Sequence, residues 1–313
     1  MRLALIARGA DSTPVLAVLI GDGLLLDVGA ADRLFALGLA PAVSIKALAE
    51  RGDEGLRAVR AVVAAVESIR EAGHDTSKVT IAEETAIFLP PVPDPSKFLA
   101  IGKNYRAHLA ELERNGLIRE MPDEPTGFIK LNAVIAPHRG YVRRPEGITT
   151  FDYEPELAFI IGKRASGVSA DQALGHVLGI TAFNDMTARE IQKREVETGT
   201  RFWTAKNMPG FGPLGPYVVT LDEVPDLSDI WISCAVNGEK RLRFSTRDQI
   251  HSIPTIIEHF SRYIPLEPGD VMATGCQEGT AFGQPNAAEL FLKPGDAVEV
   301  TLEGFMTLRT HVI

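Results

Sequence analysis

Two glutamates near the middle of the chain have the type and spacing that chemistry requires. Glu154 and Glu156 lie in the stretch FDYEPELAFIIGK, whose second half is apolar. Residues two apart on a strand point to one face, so the two carboxylates would lie about 6–7 Å apart. Because like charges repel and resist burial, the pair predicts a divalent cation, basic side chains or open water beside it.

A second group of polar residues follows a predicted strand that ends near Phe183. Asp185, Arg189 and Gln192 are separated by four and three residues, which places them on one face of a predicted helix. Asp185 or Thr187 could cap that helix. The spacing indicates either a carboxylate, a guanidinium and an amide that converge on a site, or an ordinary cap with an i,i+4 ion pair.

The third group is His108 and Glu111 in the stretch IGKNYRAHLAELERNG. The two residues are three apart on a predicted helix, close enough for a hydrogen bond. A carboxylate that binds one imidazole nitrogen orients the ring and raises its basicity, and such a pair can act as a general base for water. An exposed His–Glu pair without function has the same spacing.

Mostly β elements must position these groups. Seven β-like runs follow residue 93: FLAIGK, PELAFIIG, VLGITAFN, GPYVVT, DIWISCAVNG, DVMATG and AVEVTLEG. Both faces of the run PELAFIIG are apolar in its second half, which predicts an inner strand with the glutamate pair at or near the interior.

The first 92 residues have a different organisation. RLALIAR and PVLAVLIGDGLLLDV predict strands with a tight turn, and two helices follow, one capped by Ser44 and ended by Gly52. LPPVPDPSK, with four prolines in nine residues, favours an extended linker. We therefore predict a small N-terminal α/β domain at residues 1–92 and a second domain at residues 93–313.

Composition excludes several classes of protein. The chain has 313 residues, 45% of them hydrophobic, which is typical of a globular protein. A net charge of −9 without a Lys/Arg cluster argues against a nucleic-acid partner and favours a small molecule. No apolar run reaches the roughly 18 residues of a membrane span. Cys234 and Cys276 lie far apart, so we expect no disulfide framework, and a reducing, cytoplasmic location.

One apparent nucleotide motif does not fit its context. Residues 210–215 read GFGPLG and match G-x-G-x-x-G, but Pro213 interrupts the turn. The β-like run PYVVT follows where a dinucleotide-binding unit requires a helix. Serine-hydrolase, zinc-protease and P-loop patterns are absent from the sequence.

Seven motifs occur in one order from about residue 97 to the end of the chain: IGKNYRAH, PTGFIK, DYEPELAFIIGK, GITAFNDMTAREIQ, FWTAKNMPGFGPLGP, AVNGE and PGDVMATGCQEG. Together they resemble the fumarylacetoacetate hydrolase family. The resemblance implies an α+β, mostly β fold: a mixed β-roll catalytic domain behind a small α/β N-terminal domain, assembled as a homodimer.

The same resemblance implies a metal site. In the family, E-x-E and the aspartate of N-D-x-[ST]-A-R-[DE] hold one Mg²⁺ or Mn²⁺, which corresponds here to Glu154, Glu156 and Asp185. The open positions of a hydrated ion of this type can chelate a 2-oxo acid through its carboxylate and keto oxygens.

The resemblance further implies hydrolysis of a C–C bond in a 2,4-dioxo acid, such as an acylpyruvate or a diketo sugar acid. His108, oriented by Glu111, would activate water, and Lys206 with the metal would stabilise the enolate that leaves. The residues assigned to substrate binding are Arg189, Gln192, Thr274, Glu278, Lys103 and Tyr105.

Several alternatives stay open. The same platform could decarboxylate oxaloacetate, or isomerise or hydrate a hydroxymuconate-type acid, and a protein that binds metal and a dicarboxylate without catalysis is a further alternative. The sequences TGCQEG at 274–279 and AKNMP at 205–209 depart from common family patterns and leave the substrate unnamed. No histidine is placed beside Cys276, which we interpret as a pocket wall rather than a nucleophile.

Overall fold

Short strands account for much of the regular structure, as the sequence predicts. A computed structural model describes residues 1–8, 12–107, 123–199 and 203–313. The strands in this part of the chain are β1 (Arg2–Arg8), β2 (Thr13–Ile20), β3 (Leu24–Asp27), β4 (Thr80–Ala82), β5 (Ile87–Leu89), β6 (Phe98–Gly102), β7 (Thr126–Ile129), β8 (Ile135–Ala136), β9 (Gly140–Val142), β10 (Phe151–Asp152), β11 (Pro155–Ile161), β12 (Val177–Asn184), β13 (Thr187–Ala188), β14 (Gly212–Thr220), β15 (Trp231–Val236), β16 (Glu239–Ser245), β17 (Val271–Ala273), β18 (Ala297–Leu302) and β19 (Met306–Val312).

Helices are fewer and mostly short. Those within the described residues are α1 (Val28–Leu34), α2 (Ile45–Glu71), α3 (Ala170–Ala173), α4 (Arg189–Glu197), α5 (Ile253–Ser261) and α6 (Ala287–Leu290). In the same part of the chain, no helix has both the length and the apolar character that crossing a bilayer requires.

The strands form three sheets. The largest has twelve strands in the order β4-β3-β2-β1-β14-β12-β11-β17-β6-β7, with β5 also paired to β1 and β8 to β14. A five-stranded sheet has the order β16-β15-β18-β19-β9, and β10 pairs with β13 as a separate two-stranded ribbon. The fold is therefore mixed α and β, with strands dominant.

Strand β11 is an inner strand, which confirms the prediction from its two apolar faces. Leu157, Phe159 and Ile161 belong to the core that the large sheet shares with the five-stranded sheet. Ala158 and Ile160 lie on the opposite face, in the core that includes residues of α2. Strand β11 starts at Pro155, as the run PELAFIIG predicts, but Glu154 lies between β10 and β11 and outside both strands.

The N-terminal elements follow the predicted order, with helix α1 and strands β4 and β5 in addition. Ser44 caps α2 by accepting a hydrogen bond from the amide of Ala47, and the helix breaks at Gly52, whose φ of 54° and ψ of −136° are non-helical. Glycine tolerates this backbone conformation because it has no Cβ. Helix α1 was not predicted, and its N-cap is Asp27.

The large sheet continues across the predicted domain boundary. Strand β1 pairs antiparallel with β14, with Arg2 opposite Val219. The division into residues 1–92 and 93–313 stays a prediction, and the strands on its two sides share one sheet.

Candidate active site

The three predicted cation ligands converge in the interior. One carboxylate oxygen from each of Glu154, Glu156 and Asp185 lies within 4.8 Å of the others, and all three residues are buried. Antiparallel pairing of β11 with β12 places the start of one strand beside the end of the other, with Pro155 opposite Asn184. The amide of Asp185 also donates to the carbonyl of Glu154 at 2.9 Å. Strand pairing therefore builds the cluster.

Lys206 lies against two of these carboxylates. Its Nζ donates to Glu154 Oε2 and Asp185 Oδ2, both at 2.6 Å, and to Thr187 Oγ1 at 2.8 Å. Burial opposes the charge on this side chain, but Asp185 and Glu154 outweigh it and raise the pKa of Lys206 above its ordinary value. A charged ammonium therefore lies beside the carboxylate cluster.

A second buried lysine, which sequence reasoning did not assign, contacts Asp185 from the other side. Lys130 Nζ donates to Asp185 Oδ1 at 2.6 Å, to the carbonyl of Phe211 at 3.2 Å and to the carbonyl of Lys206. Burial lowers the pKa of Lys130 in spite of Asp185. In the sequence, Lys130 could have been identified as a candidate from its position at the end of the motif PTGFIK, directly after an apolar run.

Arg189 holds the remaining oxygen of Glu154. Its Nη1 lies 2.7 Å from Glu154 Oε1, and the same nitrogen donates to Gln192 Oε1 at 2.9 Å. Nε and Nη2 both contact Asp152 Oδ2, at 2.8 and 2.7 Å. Asp152 is fully buried and was also missed, although it stands two residues before Glu154 in the same alternating pattern.

The donor set fits a hard divalent cation. One oxygen of each carboxylate is bound by a protein group other than Lys206. Arg189 binds Glu154, and Lys130 binds Asp185. The amide of Gly275 donates to Glu156 Oε2 at 2.8 Å.

Burial, reinforced by Asp185 and Glu154, raises the pKa of Glu156 well above its ordinary value. A bound cation would relieve that cost, and three buried carboxylates are the oxygen ligands that Mg²⁺ and Mn²⁺ prefer.

The prediction that Asp185, Arg189 and Gln192 share one helical face is wrong for Asp185. Strand β13 lies between Asp185 and the helix, so α4 begins at Arg189 with Ala188 as its N-cap and no side-chain cap. The predicted cap by Asp185 or Thr187 is therefore also wrong. The physical reason is the pairing of Thr187 with Asp152, which keeps the backbone extended.

Two of the residues assigned to substrate binding make internal hydrogen bonds. The Thr274 hydroxyl donates to the carbonyl of Leu157 at 2.9 Å. Tyr105 is fully buried, and its hydroxyl accepts a bond from Gln249 at 3.1 Å. These contacts fix the walls of the site, and the assignment of both residues to substrate binding stays a prediction.

The other predicted residues differ in burial and position. Glu278 and Lys103 are half-buried, and Lys103 has a φ of 59°. His108 and Glu111 lie outside the described residues, so their roles stay predictions. Cys276 is buried, and burial raises the pKa of its thiol well above the ordinary value, as expected for a pocket wall.

The mixed fold dominated by strands holds three buried carboxylates that could bind a metal ion, with a charged lysine beside them. The family model described as "Fumarylacetoacetate (FAA) hydrolase C-terminal" matches residues 97–313. The chain belongs to this family, as its motifs predict.

Similar proteins include enzymes with isomerising activities. Oxaloacetate tautomerase YisK of Bacillus subtilis is 32% identical over 298 residues, which cover 94% of this chain and 95% of that protein. A 5-carboxymethyl-2-hydroxymuconate delta-isomerase structure from Mycobacterium smegmatis aligns with a TM-score of 0.71 at 27% identity, over 100% of this chain and 99% of its own. A fumarylacetoacetate hydrolase structure from Exiguobacterium antarcticum aligns with a TM-score of 0.77 at 28% identity, over the same shares.

Proposed function

We propose that this chain is a divalent-cation-dependent enzyme that interconverts the keto and enol forms of a 2-oxo acid, with oxaloacetate as the first substrate to test. The observation that carries the proposal is the buried cluster of Glu154, Glu156 and Asp185 beside the charged Lys206. The similarity to a tautomerase and to an isomerase supports this reaction class over hydrolysis.

Each group in the site has a separate task. Glu154, Glu156 and Asp185 would hold Mg²⁺ or Mn²⁺, which supplies Lewis acidity toward the carboxylate and keto oxygens of a 2-oxo acid. Lys206 would stabilise the negative charge that develops on a substrate oxygen through its own positive charge, because Glu154, Asp185 and Thr187 already hold its three N–H donors. Its burial strengthens that interaction.

Two further residues complete the proposed reaction. The amide oxygen of Gln192 is taken by Arg189, so its NH₂ group is the part left to donate to substrate. His108, oriented by Glu111, would take the C3 proton of the keto form, and the C2 oxygen would gain a proton from water to complete the enol. In the reverse direction the enol oxygen loses its proton and His108 returns one to C3.

Hydrolysis of a 2,4-dioxo acid is the second candidate, favoured by the intact stretch IGKNYRAHLAELE. His108 would then activate water, and Lys206 would stabilise the enolate that leaves after the C–C bond breaks. A homodimer and a cytoplasmic location stay predictions from the sequence and its resemblance to the family.

The test treats purified protein with EDTA, restores Mn²⁺ or Mg²⁺, and follows the ultraviolet absorbance of the conjugated enol of oxaloacetate. Wild type is compared with His108→Ala and Glu154→Gln, and Glu67→Gln on the exposed face of α2 serves as the control. We expect cation-dependent decay of the enol without pyruvate release, lost in the first two variants and kept in the third.

Other outcomes point to other reactions. Pyruvate and CO₂ from oxaloacetate would indicate decarboxylation, and cleavage of acylpyruvates alone would restore hydrolysis as the lead. If no substrate in a panel of oxaloacetate, acylpyruvates and diketo sugar acids responds to cation, the proposed function is wrong.

A further inference from the structure

The guanidinium of Arg189 has no donor left for a substrate. Arginine carries five side-chain N–H groups. In this structure they make five contacts to four protein acceptors: two to Oδ2 of Asp152, and one each to Glu154, Gln192 and Thr280, the last at 3.2 Å. A guanidinium with this pattern orients the groups around it rather than the substrate.

Asp152 fixes that guanidinium and a neighbouring loop at the same time. Its Oδ2 accepts from Arg189 and from the amide of Phe282 at 3.0 Å, and its Oδ1 accepts from the amides of Ala281 at 3.0 Å and Tyr153 at 2.9 Å. Both oxygens of a fully buried carboxylate are therefore engaged. The Phe282 ring also lies under the guanidinium, 5.3 Å from its carbon to the ring centroid.

We infer that Asp152 is a positioning residue that acts through Arg189. By holding Arg189, it keeps Oε1 of Glu154 on the guanidinium and leaves Oε2 on the side of Lys206. It also sets the direction of the Gln192 amide. This role rests on the proposed function, in which Glu154 is a cation ligand and Gln192 a substrate donor.

The loop contacts extend the same role. Thr280, Ala281 and Phe282 follow the segment that carries Cys276 and Glu278, and they meet Asp152 and Arg189 directly. A cation bound at Glu154 would therefore favour one arrangement of this loop, because both depend on the same two side chains.

The test measures Mn²⁺ affinity by isothermal titration calorimetry without substrate, so it does not depend on turnover. Asp152→Asn removes the charge, and Asp152→Glu keeps it but displaces the carboxylate by one methylene. We expect both variants to bind Mn²⁺ at least tenfold more weakly than wild type, and we expect faster hydrogen exchange at Ala281 and Phe282. Affinity within twofold of wild type in Asp152→Glu would overturn a positioning role, because charge alone would then explain Asp152→Asn.

Asp27→Asn is the matched control. Asp27 is also a buried carboxylate, pairs with Arg8 at 2.9 Å and accepts from a backbone amide, but it lies in the N-terminal part of the sheet. We expect its Mn²⁺ affinity to stay within twofold of wild type. An equal loss in Asp27→Asn would overturn the inference, since general destabilisation would suffice.

If the Asp152 variants fail to fold, Thr280→Val tests whether the contacts that hold Arg189 set the affinity for Mn²⁺. It removes one Arg189 contact from a loop residue and leaves Asp152 intact. We expect Mn²⁺ to bind at least twofold more weakly, and unchanged affinity would overturn the inference. Failure of wild type to bind Mn²⁺ would instead refute the proposed function, so the two failures are distinguishable.

Discussion

Lys206 and Asp185 form a buried ion pair in which Nζ lies 2.6 Å from Oδ2, while Lys130 holds Oδ1 of the same carboxylate. Nζ is equally close to Glu154 Oε2. The ammonium of Lys206 therefore contacts the oxygens of Asp185 and Glu154 that Lys130 and Arg189 do not bind. Lys206 and a divalent cation attract the same oxygens and repel each other, so each weakens the binding of the other.

Replacement of Lys206 by methionine should separate cation binding from catalysis. We expect Lys206→Met to bind Mn²⁺ about tenfold more tightly, which equals about 1.4 kcal/mol, because the competing charge is gone. We expect kcat to fall about a hundredfold or more, because the enolate loses the buried positive charge beside it. Calorimetry and steady-state kinetics on one preparation test both, and weaker Mn²⁺ binding would contradict the competition.

Lys130 should matter most for stability. Lys130→Met leaves Oδ1 of Asp185 and two backbone carbonyls without their buried donor, so we expect the free energy of unfolding to drop by about 3 kcal/mol. Lys97 pairs with the buried Asp270 but is itself 25% exposed, and Lys97→Met should cost only about 1 kcal/mol. Urea denaturation of the two variants with EDTA makes the comparison, and equal losses would contradict a special role for Lys130.

The convergence of Glu154 and Glu156 could be predicted because their spacing is a local feature, and the resemblance to the family added Asp185. An E-x-E pair on a strand places two carboxylates on one side by the geometry of the pleat alone. The apolar residues on both faces after Glu156 were sufficient to predict an inner strand, and the pairing of β11 with β12 shows why Asp185 comes close to it.

The groups that hold those ligands could not be predicted in the same way. Lys130 is 55 residues from Asp185 in the chain, and Asp152 is 37 residues from Arg189. Only the folded sheet brings such partners together. The spacing of Asp185 and Arg189 is that of a pair on one helical face. However, strand pairing between Asp152 and Thr187 keeps that segment extended, so tertiary structure overrode the local pattern.

Without a cation, replacing Glu156 should hardly change the free energy of unfolding. With Mn²⁺ present, Glu156 should be essential for the stabilisation that the cation gives. Burial, with Asp185 and Glu154, raises its pKa well above the ordinary value, so Glu156→Gln resembles the protonated form. In EDTA we expect its free energy of unfolding within about 0.5 kcal/mol of wild type. At 100 times the wild-type Kd, Mn²⁺ should stabilise wild type by about 2.7 kcal/mol and this variant hardly at all.

The matched control for that experiment is Glu67→Gln, an exposed site on α2 that should keep the full Mn²⁺ stabilisation. Thermal melts with and without Mn²⁺ give both quantities. Full Mn²⁺ stabilisation in Glu156→Gln would remove Glu156 from the ligand set.

Cys276 should behave as a wall of the site. Its raised pKa leaves little thiolate near neutral pH, and thiolate is the reactive form. We expect Cys276→Ala to keep activity of the same order as wild type. A chromogenic disulfide reagent should titrate almost no thiol in the native protein and both cysteines in urea, and fast stoichiometric reaction of the native Cys276 with loss of activity would contradict this.

His138 should make stability depend on pH. Burial, together with Arg139 and Arg309, lowers its pKa from the ordinary 6.5 to about 3. Between these values the unfolded chain binds a proton that the folded chain does not, so the free energy of unfolding falls as pH falls, by up to about 1.4 kcal/mol per pH unit. The contribution is complete above pH 6.5 and is lost progressively toward pH 3.

His138→Asn removes the titrating ring and retains an oxygen that can accept from the amide of Arg309, which His138 Nδ1 binds at 3.1 Å. We expect urea denaturation between pH 4 and pH 7 to show a shallower slope for this variant than for wild type. His74→Asn, at an exposed position, should keep the wild-type slope. Equal slopes in wild type and His138→Asn would show that His138 does not resist protonation in the folded state, because a ring with an ordinary pKa contributes no difference between the folded and unfolded chains.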